Sequence, residues 1–161
     1  MSLRHGNGAA SLGEVVRVID HLLVVSQDGV EGYRHAAAAV GKAPLIDGLL
    51  TRLRVEREGV VRALALLLES YGFEPAHHGS VTGAIHRRWL DLLGRMNGNY
   101  VAVLEECERG EEETINAFAH GLSRMLPPDV HAVLQEQLSS VLDAQRSLNR
   151  ALVELTRAEA S

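Results

Sequence analysis

The chain has one cysteine, four prolines and only 4% aromatic residues in 161 positions. A lone thiol, Cys107, excludes an intrachain disulfide and suits a reducing compartment. Scarce proline leaves room for long helices. With so few rings, the core must rest on Leu, Val and Ala, and a hydrophobic share of 46% is enough to build one. No run approaches the roughly 18 apolar residues of a membrane span. The opening MSLRHGNGAA lacks the apolar stretch of a signal peptide. A basic excess is missing too: Lys and Arg number 16 against 21 Asp and Glu, a net charge of −5. That balance argues against a nucleic-acid partner, because phosphate neutralisation needs concentrated positive charge. The chain is therefore expected to be cytoplasmic, with no membrane or nucleic-acid partner.

What is present is helical periodicity. After a flexible N-terminus at 1–10, residues 11–158 are expected to form a single domain. Ser11 reads as an N-cap, and Leu12, Val15, Ile19, Leu22, Ser26, Val30, Tyr33, Ala37 and Val40 follow at threes and fours. Gly41 and Pro44 separate this helix A from helix B, whose stripe is Ile46, Leu49, Leu53, Val60, Leu64, Leu67 and Tyr71. Helix C carries Tyr100, Leu104, Cys107, Glu111, Thr114, Phe118, Leu122 and Met125. After Pro127-Pro128, helix D carries Val130, Leu134, Leu138, Val141, Gln145, Leu148, Leu152 and Leu155.

Two short loops join A to B and C to D, as in antiparallel hairpins. Residues 72–97 are longer than a hairpin needs and hold a short amphipathic pattern of Val81, Ile85, Trp89 and Leu92. A helix of about 28 residues is roughly 42 Å long, and such a connection can cross it. The fold class that follows is all-α: a ferritin-like four-helix bundle with a long B–C crossover containing a short helix, B and C running parallel. The rival is a plain up-down bundle with an insertion.

Polar residues interrupt the apolar stripes. Ser26, the pair Glu56 and Arg57, Glu111 and Gln145 each fall near the middle of a helix, so a polar layer is expected across the centre of the core. At about 100° per residue, Glu31 falls roughly 130° from its stripe and Glu108 roughly 80°, both towards solvent. Two-metal bundles use inward Glu from two helices and Glu-x-x-His from two others, and no Glu-x-x-His falls on helices A to D. The layer then reads as a structural network, with Arg57 paired to Glu111 and Gln145 and Ser26 bonding the remainder. The competing reading is an iron or manganese site on Glu56 and Glu111. Two carboxylates without imidazole suit that poorly, and Arg57 would repel the ion, so no cofactor is expected.

Other candidates have plainer readings. His77-His78, with His86 nearby, could ligate a metal but sit on a Gly-rich connector. His86-Arg87-Arg88 could meet an anion, Trp89 anchors the short helix, Cys107 reads as a buried inert thiol, and Glu105-Glu106 and Glu111-Glu112-Glu113 as a solvated face. Asp28-Gly29-Val30-Glu31 and Arg109-Gly110-Glu111-Glu112 echo each other in the two halves.

Asp28-Gly29-Val30-Glu31-Gly32-Tyr33, Glu56-Arg57, the stretch from Gly79 to Trp89, Glu105 to Glu111, and Leu126-Pro127-Pro128 together resemble a bacterial family of uncharacterised ferritin-like four-helix-bundle proteins. The resemblance covers nearly all of the chain after residue 11 and implies the fold more than a function. The family often has His about where Gln145 stands, a departure that removes a nitrogen ligand here. The expectation is a protein without enzymatic activity that works by association with itself, as a dimer, or with another protein. Val55 and Leu66 of helix B and Val101 and Val103 of helix C would widen the apolar surface for it. The alternative is a metal-binding protein or oxidase with a degenerate site.

Overall fold

A computed structural model describes residues 8–75, 79–95 and 99–161, the side chains of 79–82 excepted. Among these residues all regular structure is helical: α1 Leu12–Val40, α2 Pro44–Ser70, α3 Gly79–Leu93, α4 Tyr100–Leu122 and α5 Pro128–Glu159. Local chemistry sets the boundaries. Ser11 Oγ accepts from Glu14 N and Glu14 Oε2 accepts from Ser11 N, each at 3.2 Å, a reciprocal cap for α1. Gly41 leaves the helix at φ 54°, where a side chain would be strained, and Pro44 opens α2. Asn99 Oδ1 accepts from Ala102 N at 3.3 Å to start α4.

α4 ends at Leu122, sooner than its stripe suggests. Met125 consequently sits in the α4–α5 turn, 64% exposed, and its carbonyl accepts from Ala10 N at 3.0 Å.

The four long helices form a ring in which α1 packs on α2 and α4, and α5 packs on α4 and α2. Two apolar clusters fill it. The first joins the beginnings of α1 (Ile19, Leu22) and α5 (Leu134) to the ends of α2 (Leu64, Leu68) and α4 (Phe118). The second joins the end of α1 (Ala36, Val40) and Leu148 of α5 to the beginnings of α2 (Leu50, Leu53) and α4 (Val103, Leu104). Hence α2 and α4 run in the same direction on opposite corners, and each adjacent pair is antiparallel. The Tyr71 hydroxyl, bonded to Asp129 at 3.0 Å, ties the end of α2 to the start of α5.

The chain must return along the whole ring between α2 and α4, and α3 makes that passage against α1. It begins two residues before Val81, where the sequence pattern starts. Trp89, 4% exposed, anchors it in the second cluster. Val55 and Leu66 are exposed as expected of an open face. Val103 is not: it is wholly buried beside Leu104, because two consecutive positions of α4 face the interior where α1 and α5 meet it. No helix of the described residues is long and apolar enough to cross a membrane.

Candidate functional site: the polar centre and the cleft above it

Between the two clusters lie the buried polar side chains Ser26 of α1, Arg57 of α2, and Glu111 and Thr114 of α4, none more than 3% exposed. Arg57 Nη2 pairs with Glu111 Oε2 across the diagonal of the ring. The Tyr33 hydroxyl donates to Glu111 Oε1, so both carboxylate oxygens are engaged. Arg57 Nη1 donates to Thr114 Oγ1 at 3.3 Å, and that hydroxyl donates back to the Gly110 carbonyl at 2.9 Å. This is how a buried charge survives: an opposite charge plus hydrogen bonds replace its water.

Gly29 makes the arrangement possible. A Cβ there would fall on Arg57 Nη1 and lie 3.3 Å from Cζ, so any side chain would displace the guanidinium. Ser26 Oγ, by contrast, is buried and finds no partner among the described residues.

A cleft of about 310 Å³ between α1, α3 and α4 reaches this centre from outside. Gly29, Gly32 and Gly110 open it, Tyr33 and Glu111 form part of its lining, and Trp89 and Cys107 flank them. The Asp28–Glu31 and Arg109–Glu112 echoes each contribute one of those glycines. On the outer side Arg88 of α3 meets Glu106 at 2.6 Å and Glu113 at 3.4 Å, and Arg109 bonds both carboxylates as well. The charge run read as a solvated face thus partly holds α3 against α4.

Two groups at the centre, Tyr33 and Cys107, are held in their protonated forms. Burial pushes the Tyr33 hydroxyl well above its usual value, the Glu111 charge adds to this, and Arg57 opposes it. Burial also raises the Cys107 thiol, with Glu111 and Glu106 adding. At neutral pH these are a phenol and a thiol, neither a base nor a nucleophile. Burial raises the Glu106 carboxyl as well, more than Arg88 lowers it.

A family described as a domain of unknown function, DUF2383, matches residues 14–123. The chain belongs to that family. The match takes in every member of the polar centre and stops before α5. No curated protein and no solved structure matches the chain.

Of the residues singled out in the sequence, this DUF2383 chain brings Arg57 and Glu111 into direct contact, with Ser26 buried in the same zone. Glu56 does not join them. It lies 37% exposed on the flank of α2, captured by Arg52 one turn earlier at 2.8 Å. Gln145 is half-buried on the α4–α5 flank and donates to Glu108 Oε1 at 3.2 Å instead of entering the layer. The small Ala144 takes the buried position beside it. Glu31 bonds Arg34 at 2.6 Å. His77 and His78 lie outside the described residues. The members that sequence reasoning missed are Tyr33, Thr114 and Gly29. Tyr33 and Thr114 were on the stripes, and a stripe hydroxyl opposite a stripe carboxylate was the available signal.

An iron or manganese site on Glu56 and Glu111 does not fit these positions. Glu56 points to Arg52, and both Glu111 oxygens are taken by Arg57 and Tyr33. Among the described residues no group of three or more His, Cys, Asp or Glu side chains is placed to hold a metal ion.

Proposed function

We propose that this DUF2383 protein is a non-catalytic, ferritin-like helical bundle that acts by self-association, as a dimer. The observation that carries the reading is an apolar groove where the second cluster reaches the surface. It lies between the starts of α2 and α4 and the end of α5, with a volume of about 830 Å³. Leu45, 91% exposed, lines it together with Ile46, Leu49, Tyr100 and Leu155. The apolar pattern of α5 continues past its last buried residue, Leu148, through Ala151 to Leu155. Such a surface favours a partner.

A second copy is the occupant that the rim suits. Arg52, Arg150 and Glu154 border the groove, so the same edge offers both signs and can complement itself about a twofold axis. The protonated Tyr33 and Cys107 support the non-catalytic half of the reading, since neither offers a base or a thiolate at the centre.

Light scattering over a concentration series tests the proposal. The wild type should give the mass of a dimer, and Leu45→Glu and Leu155→Glu should each give a monomer with unchanged helical circular dichroism. A monomeric wild type at every concentration would overturn the association. A dimer indifferent to both substitutions would overturn this face.

A further inference from the structure

Across the α1–α3 seam, His35 Nε2 and His86 Nδ1 lie 3.4 Å apart. That is long for a hydrogen bond from a ring N–H, which prefers about 2.9–3.0 Å. It matches another geometry. Two imidazole nitrogens on one tetrahedral zinc, each 2.0–2.1 Å from the metal, stand about 3.3–3.4 Å apart. The two rings meet at an interplanar angle of 65° with centroids 5.2 Å apart, so they converge edge-on and do not stack.

We propose that His35 and His86 form a two-imidazole clamp for a borderline divalent cation of the Zn²⁺ class, which staples α3 to α1 beside the cleft. Nitrogen donors select zinc, nickel or copper over magnesium and calcium. His86 is exposed, so water can complete the coordination. Both imidazoles must be neutral to bind. Burial holds His35 below its usual value, and the charges of His86 and Arg34 act the same way against Glu31, so its lone pair is available at neutral pH. Glu31 stands one turn before His35 on α1 and places a carboxylate beside the site, itself bonded to Arg34. Trp89 packs edge-on against His35 on α3, with centroids 6.3 Å apart, and limits the ring's freedom.

The clamp is independent of the groove used for self-association, and it does not involve Glu111 or Glu56. Its position gives it a consequence. α3 is otherwise joined to the ring by Trp89, Ile85 and Leu92 in the second cluster and by Arg88 with Glu106 and Glu113. A bound ion would add a link on the α1 side and slow the opening of the cleft wall.

Zn²⁺ titrated calorimetrically into the full chain at neutral pH tests this. One ion per chain is expected, with His35→Ala and His86→Ala each weakening binding by more than about tenfold. Acidification to about pH 5 should release the ion, because protons compete for the same lone pairs. Zn²⁺ should also slow amide exchange across residues 83–93 in the wild type and not in either variant. No binding, or binding that survives either substitution, would overturn the clamp. So would binding abolished by His77→Ala with His78→Ala and left intact by His35→Ala. His86 is exposed and His35 half-buried, so circular dichroism is the check that each variant folds.

Discussion

Arg57–Glu111 and Arg88–Glu106 are the same chemical pair in two settings. The first is 2% exposed on both sides, and the second is 39% and 17% exposed. Around Arg57 the neighbours are specific: Tyr33 donates to the second Glu111 oxygen, Thr114 accepts from Arg57 Nη1, and Gly29 makes room. Around Arg88 they are redundant, since Arg109 contacts both carboxylates that Arg88 does. A buried charge has no water to fall back on, so its partners become indispensable. An exposed pair exchanges one partner for another, or for solvent, at little expense. The centre of this bundle therefore fixes one packing of four helices, and the surface network tolerates the loss of a single partner.

Removing one member of the buried pair should have the largest effect. Glu111→Ala leaves the Arg57 guanidinium without its counter-charge and should destabilise the protein by about 3–5 kcal/mol in urea denaturation. Next comes Gly29→Ala. The added methyl forces Arg57 to move, and about 1–3 kcal/mol of overpacking should appear in the same assay. A result near zero would mean that the guanidinium has another place to go. Ser26→Ala should act in the other direction. It deletes a buried hydroxyl without a partner among the described residues, so the midpoint should hold or rise, by up to about 1 kcal/mol. A clear loss would reveal a bond to that hydroxyl. The smallest change belongs to Arg88→Ala, below about 1 kcal/mol and shrinking as salt is added, because the site is part-exposed. A large, salt-insensitive loss there would erase the contrast between the two pairs.

The helices were legible because each stripe repeats at threes and fours, and the crossover because residues 72–97 are too long for a turn. The α4 terminus was misread, since Met125 fits the period although the chain has already turned at Ser123. Periodicity reports face and not continuity. At the centre the ambiguous step was Glu56 against Arg57, which straddle the gap between Leu53 and Val60 about equally. A longer view separates them. Arg57 is seven residues from both Leu50 and Leu64, each wholly buried, whereas Glu56 is seven from Leu49 and Ala63, which are half-buried. Gln145 was placed inward because it continues the line of Val141 and Leu148. At a corner between two helices, the flank of that line faces the neighbour, and Glu108 is there to accept from it. The His35–His86 approach had no sequence signal, because it depends on where the crossover lays α3 against α1.

The central claim is that Arg57 and Glu111 are a structural pair and not part of a ligand set. A double-mutant cycle tests it most directly, with Arg57→Met and Glu111→Leu made singly and together and stability read by urea denaturation. The account expects each single change to be strongly destabilising and the double variant to lie near the wild type, a coupling of about 2 kcal/mol or more. Single losses that simply add in the double variant would contradict it.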